Sequence, residues 1–121
     1  MPIALSVFAA SGRAAWTPNV SAGLPADNPG PAGSASLTVT GPALGQDYQG
    51  GALGGQRLKV EYTASGGADG TFPYWKYFAD ATAGSFTVSG IVAGDTFVRV
   101  VALDANNNEG FPSQSWLETA A

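Results

Sequence analysis

The chain has 121 residues, the length of one domain, and a formal net charge of −4. It contains no cysteine and no histidine, which excludes disulfide and thiol chemistry and removes the commonest general base and transition-metal ligand. The acidic balance disfavours nucleic acid as a partner, because binding to phosphates needs a basic surface.

The first 33 residues differ in composition from the rest of the chain, because five of its eight prolines lie among them. Apolar and small residues alternate over residues 3–8, as is typical of a strand. The prolines that follow remove backbone donors and disfavour helix, so they favour an extended segment. We therefore predict an N-terminal arm over residues 1–33, with one short strand, that lies on its own domain or on a neighbour.

The start of the chain does not resemble a secretory signal. Its apolar run follows no Lys or Arg, whereas a signal peptide begins with positive charge. No apolar run approaches the ~20 residues that a membrane helix needs. We therefore expect synthesis in the cytoplasm without a signal peptide, and no membrane partner.

Two segments in the middle of the chain alternate apolar and polar residues and predict strands. They are residues 34–40 and residues 57–63. In the second segment Lys59 and Glu61 fall on the opposite side from the apolar residues, so we expect both to face solvent.

The segments around the second of these strands are less regular. Residues 43–55 hold five glycines, which predicts a flexible connector or a weak edge strand. Residues 71–78 are dense in aromatic side chains, and Pro73 among them predicts an edge strand or a strand entered through a bend.

The last third of the chain predicts three more strands. Residues 85–89 alternate, residues 96–103 are β-branched and apolar, and Trp116 and Leu117 lie in a closing strand. Turn residues separate these segments. About seven short strands with turn signals between them predict an all-β fold, a β-sandwich over residues 34–121.

Residues 84–110 resemble the second half of a fibronectin type III domain. That family has a short strand, a leucine-proline-glycine corner, and a strand that ends in Ala-x-Asp before a loop of Asn and Gly. The strand over residues 57–63 is similar to the family's third strand. The matching corner is Ile91, Val92, Ala93 and Gly94, and the matching strand end is Ala102, Leu103 and Asp104.

The chain departs from that family at three positions. Ala93 replaces the corner proline, Phe97 replaces the corner tyrosine, and Gly41 occupies the position of the family's buried tryptophan. The resemblance therefore implies an immunoglobulin-like (fibronectin type III-like) β-sandwich of about seven strands, and it does not determine a function.

The loop that follows the strand over residues 96–103 has the spacing of a calcium loop in part. Asp104, Asn106 and Asn108 occupy alternate positions, as oxygen ligands do. However, Glu109 stands where the sharp turn needs glycine, and Ser115 stands where a bidentate glutamate is expected. Asn and Asp are also ordinary turn residues, and we favour a plain turn over a metal site.

The aromatic run over residues 72–78 has two interpretations. Tyr74, Trp75 and Tyr77 could stack on the apolar faces of a surface glycan. Alternatively, the run could contribute to the sandwich core and one sheet edge. A strand presents alternate side chains to opposite faces, so only part of the run can form one platform.

Catalysis is not indicated by the residues. Asp69 and Asp80 flank the aromatic run, but paired carboxylates act only when they face each other across a cleft. The serines have no histidine or Ser-x-x-Lys pattern to activate them. We therefore expect neither an enzyme nor a cofactor.

The strand over residues 96–103 is apolar on both faces, which is unusual for a sandwich strand. Phe97, Val101 and Leu103 share the side that carries Arg99. Leaving such side chains in water forgoes about 1.5–3 kcal/mol each. We therefore expect the arm, a neighbouring subunit or the rest of the domain to cover that side.

Small size, a sandwich, an extended arm and no signal peptide resemble the accessory proteins of bacteriophage particles, such as capsid decoration or tail-surface proteins. The resemblance implies a non-catalytic structural protein of the virion, made in the host cytoplasm, that docks on a capsid or tail protein and can form homo-oligomers. The alternative is a carbohydrate-binding or adhesive module. The expected anchors of the arm are Ile3, Leu5, Val7, Phe8 and Trp16.

Overall fold

The computed structural model describes residues 22–40, 57–81 and 83–121. These residues form six β-strands and no helix, which confirms the predicted all-β fold. The strands are β1 (Ala32–Thr40), β2 (Arg57–Tyr62), β3 (Tyr74–Phe78), β4 (Ser85–Ile91), β5 (Gly94–Leu103) and β6 (Trp116–Ala120).

The strands form two antiparallel sheets. β1 pairs with β4 in a two-stranded sheet, and the other four strands form a sheet in the order β3-β2-β5-β6. The edge position predicted for the aromatic strand is confirmed, because β3 ends the four-stranded sheet. The described residues thus give a sandwich-like arrangement of six strands, whereas the predicted strand at residues 3–8 lies outside them.

The core lies between the two sheets and follows from alternation along each strand. Leu37 and Val39 of β1 and Phe86 and Val88 of β4 point inward from the small sheet. Residues with the same two-residue spacing point inward from the large sheet, and each buried side chain of this size stabilises the fold by about 1.5–3 kcal/mol. They are Leu58, Val60 and Tyr62 of β2 and Val98 and Val100 of β5.

The two lateral sides of the sandwich differ in the segments that lie there. On one side Ser36 of β1 and Ala121 exchange both backbone hydrogen bonds, at 3.0 Å each. On the other side residues 26–31, the edge segment, run along β3. There Asn28 and Trp75 exchange backbone bonds of 2.9 and 3.0 Å, and the hydroxyl of Tyr62 donates to the carbonyl of Pro29 at 2.9 Å.

The predicted arm is described only from residue 22 onwards. Its residues 22–31 lie against the chain's own sandwich, and β1 begins at Ala32, two residues before the predicted domain start. The predicted glycine-rich connector lies mostly within residues 41–56, outside the described residues.

Candidate functional site

The side of the four-stranded sheet that faces away from β1 and β4, the outer face, carries most of the chemically distinctive side chains. Strand register aligns Lys59 of β2 with Tyr77 of β3, and Glu61 with both Trp75 of β3 and Arg99 of β5. Because register and alternation fix which side chains share a face, these five residues lie together.

Four charged residues on the outer face form one chain of ion pairs, the charged cluster: Lys59, Glu61, Arg99 and Glu109. The ammonium of Lys59 lies 2.8 Å from Oε2 of Glu61 and 3.2 Å from Oε2 of Glu109. The Nε of Arg99 pairs with the other oxygen of Glu61. The cluster has two positive and two negative charges, so its net charge is zero.

The prediction that Lys59 and Glu61 face solvent is wrong, since they are only 7% and 6% exposed. Both lie on the predicted side of β2, but aromatic side chains and residues of the 104–110 loop lie beside them. Burial alone lowers the pKa of Lys59, yet its hydrogen bond to Glu61 and the charges of Glu61 and Glu109 outweigh burial and raise it. Lys59 therefore stays charged in the interior, as a paired cation can.

Aromatic rings line the charged cluster. The ammonium of Lys59 lies 4.8 Å from the ring centre of Trp75 and 5.7 Å from that of Tyr77. The guanidinium of Arg99 lies 4.4 Å from the ring centre of Phe72. Cations over aromatic faces are attracted by the ring quadrupole. The cluster is therefore shielded by rings as well as neutralised by charge.

The three residues of the predicted sugar platform do not share one face. Trp75 and Tyr77 lie on the outer face and are half-buried. Tyr74 points the other way, packs against the core and lies 5.9 Å from Tyr62 between ring centres. Only two of the three predicted residues, with Phe72 nearby, can contribute to one platform.

The apolar side of β5 is covered within the chain at two of the three predicted partner contacts. Val101 and Leu103 are 1% and 0% exposed, so they are interior residues rather than a docking surface. Phe97 is half-buried and pairs across strands with Leu117 of β6, which is 52% exposed. An apolar patch of these last two residues remains on the outer face.

The loop predicted as a calcium candidate is a tight turn around one buried carboxylate. Oδ1 of Asp104 accepts the backbone N–H groups of Asn106 and Asn108, both at 2.9 Å, and Oδ2 accepts Nδ2 of Asn108 at 2.9 Å. Asn107 has φ of 65°, as turn residues of this type allow. Donors thus surround the carboxylate, which is the geometry of a plain turn. Among the described residues, no three acidic side chains are grouped to hold a metal.

Side chains attach residues 22–31 to the sandwich at two places. The carboxylate of Asp27 accepts the backbone N–H of Tyr77 at 2.8 Å and pairs with Lys76 at 3.2 Å. Upstream, Asn107 donates through Nδ2 to the carbonyl of Gly23 at 2.7 Å. The predicted anchors Ile3, Leu5, Val7, Phe8 and Trp16 precede these contacts and lie outside the described residues.

The charged cluster was only partly foreseeable from sequence. Arg99 within an apolar strand and opposite charges at Lys59 and Glu61 were the available signals, whereas the pairing of β2 with β5 that joins them is not local.

No helix within the described ranges is long and apolar enough to span a membrane. No protein-family model, no curated protein and no solved structure matches this chain.

Proposed function

We propose that this chain is a non-catalytic structural protein of a virus particle, which docks on a capsid or tail protein through its N-terminal residues. The observation that carries the proposal is the attachment of residues 22–31 to the chain's own sandwich. Because this part of the arm is held by its own domain, Ala22 has a fixed position beside the 104–110 loop. An arm with one end already held in place loses less conformational entropy when it docks on a partner.

The outer face supplies a second contact for the same partner. Phe97 and Leu117 form an apolar patch next to the charged cluster, whose net charge is zero. Covering exposed apolar side chains of this size with a partner removes apolar surface from water and so stabilises the complex. The patch replaces the predicted set of Phe97, Val101 and Leu103 as the docking face of β5 and β6.

We further propose a fibronectin type III-like sandwich. If a strand at residues 3–8 precedes β1, then β2, β5 and β6 are the third, sixth and seventh strands. Immunoglobulin-like sandwiches place those three strands in one sheet, and β2, β5 and β6 are adjacent in the four-stranded sheet. The pairing of β3 with β2 corresponds to the extra strand that variable-type domains add to that sheet.

Deletion of residues 1–21 tests the docking proposal. This deletion removes all five predicted anchors and leaves the edge segment on β3, whereas deletion of residues 1–33 would also remove the start of β1. We expect the shortened chain to fold and to lose co-sedimentation with purified particles of the virus that encodes it. Tyr74→Phe, which keeps the ring that packs against the core on the opposite face, serves as the control and should still co-sediment. Equal co-sedimentation of the shortened and full chains would refute docking through the arm.

The alternative is binding to a surface glycan, and one observation favours it. Trp75 and Tyr77 lie on the same outer face, beside carboxylate and guanidinium groups that can bond to sugar hydroxyls. Under this alternative Trp75→Ala abolishes binding to a glycan array, and Tyr74→Phe, on the opposite face, does not. A chain that binds no glycan at all excludes this alternative and leaves docking untouched.

A further inference from the structure

One edge of β4 is open among the described residues. β4 pairs with β1 on its other edge, where Ser36 lies opposite Ser89. Ser36 gives both its backbone groups to Ala121, so they point away from β4. In an antiparallel pair, residues whose backbone groups point away from the partner strand alternate with residues whose backbone groups bond to it. The N–H and C=O groups of Ser85, Thr87 and Ser89 therefore point toward the open edge.

The other sheet edges of the described chain carry protection that β4 lacks. The edge of β3 is covered by Asn28 and flanked by the Lys76–Asp27 ion pair. The edge of β1 meets Ala121, and β6 carries Glu118. Proteins blunt edges with charges, proline or a covering segment to prevent strand addition. The sequence of β4, SFTVSGI, has no charge and no proline.

Next to the open edge of β4, the other layer of the sandwich projects further outward, and we call this projecting part the ledge. A cavity of about 320 Å³ is bounded by Thr87 and Ser89 on one side and by Asp27, Pro29 and Lys76 on the other, with Tyr62 also lining it. β3 and the edge segment thus extend beyond β4 in the other layer. A second copy paired edge to edge through its own β4 would bring its own β3 towards the same space, so the ledge favours a single added strand over a second sandwich.

We propose that the open edge of β4 binds one extended segment of a partner protein as the third strand of the small sheet. The segment's backbone bonds to Ser85, Thr87 and Ser89 supply affinity, and pockets for alternate side chains supply selectivity. Its inward side chains meet Tyr62 and Pro29, where they are small or apolar, and the Lys76–Asp27 ion pair, where they are polar. Its outward side chains extend the hydroxyl pairs of the small sheet, such as Thr38 with Thr87 at 3.3 Å. This site shares no residue with the predicted N-terminal anchors.

Amide hydrogen exchange followed by NMR tests the openness of the edge and its occupation. The probe is a synthetic peptide with the sequence of Ala32–Thr40, because that sequence already pairs with the other edge of β4. In the free chain the amides of Thr87 and Ser89 exchange rapidly, while those of Phe86 and Val88 are protected. The peptide then protects Thr87 and Ser89. Protection of Thr87 without peptide, or no protection with it, overturns the proposal.

A pair of substitutions at one position separates backbone binding from other effects. Thr87→Pro removes the open-edge N–H and costs no backbone bond to β1, as proline on an edge strand allows. Like Thr87→Val, it loses the hydroxyl contact with Thr38. Thr87→Val keeps that N–H. By calorimetry we expect the peptide to bind Thr87→Pro about tenfold more weakly or worse, and Thr87→Val as tightly as the unaltered chain. Equal binding by Thr87→Pro overturns the proposal. If Thr87→Pro does not fold, the exchange experiment on the unaltered chain decides.

Discussion

The ammonium nitrogen of Lys59 lies 2.8 Å from a carboxylate oxygen of Glu61, two residues along the same strand, and both side chains are buried. Residues two apart on a strand share a face, so the pair is local. The other two charges of the cluster come from distant segments, because Arg99 lies in β5 and Glu109 in the loop after it. The pair thus ties the centre of the large sheet to that loop.

Glu61→Gln should destabilise the fold strongly. The substitution keeps the shape of the side chain but leaves the cations of Lys59 and Arg99 without their shared carboxylate. Removing one partner of a buried ion pair costs about 3–5 kcal/mol, and we expect the lower end because Arg99 is one-third exposed. Urea unfolding measures the loss.

Asp95→Asn is the matched control for Glu61→Gln. It makes the same change of charge and shape at an exposed carboxylate that accepts the hydroxyl of Thr119 at 2.8 Å. Its effect should stay within about 0.5–1 kcal/mol. Similar losses for both variants would show that the buried charged cluster contributes no more than a surface carboxylate.

Stability should fall at alkaline pH because of Tyr62. Burial, then the charge of Asp27 and the neighbouring Tyr74, raise the pKa of Tyr62 from 10.0 to about 12. The folded chain therefore holds this proton more tightly than the unfolded chain. The resulting stabilisation is complete below pH 10 and is lost as pH rises through about 12. The raised pKa of Lys59 acts in the same direction.

The expected size of this effect is about 2–3 kcal/mol for Tyr62 alone. Urea unfolding across this pH range measures it, and ultraviolet titration follows the ionisation of the tyrosines. Burial also raises the pKa of Tyr77, so Tyr62→Phe should remove the last step of the titration and reduce the pH dependence without abolishing it. An unchanged last step in Tyr62→Phe would show that a tyrosine other than Tyr62 ionises last.

Gly33→Ala should disrupt the start of β1. A Cβ at Gly33 would meet the carbonyl of Ile91 and lie 2.7 Å from the Cα of Val92, both of them backbone atoms that cannot swing away. Overpacking of this kind costs about 1–3 kcal/mol. Gly23→Ala is the control, because a Cβ there has no neighbour within 4 Å. Thermal unfolding should separate the two variants, and equal melting temperatures would mean that β1 shifts freely against β4.

The sequence predicted strands well because alternation is a local property. Alternation over residues 57–63 places the apolar residues Leu58, Val60 and Tyr62 on one side of a strand, and they form the core side of β2. The same pattern misjudged Lys59 and Glu61, since alternation tells which side a residue is on and not what covers that side.

The candidate site depended on contacts between distant segments, which periodicity does not encode. The apolar side of β5 was expected to need a cover, and Val101 and Leu103 are indeed covered within the chain. However, the strand order and the pairing of Asn28 with Trp75 bring together residues far apart in sequence. Those contacts arise from packing and turn geometry over the whole domain.

Calcium should have no effect on the stability of this chain. The carboxylate of Asp104 is 1% exposed and accepts three N–H donors from its own loop, so binding a cation would require the turn to open and those bonds to break. A ligand that binds only the folded state raises the melting temperature of the protein by mass action. We expect the same melting temperature with millimolar calcium and with a chelator. A rise with calcium that the chelator reverses would show that the loop rearranges around a cation, and Asp104→Ala should then abolish that rise.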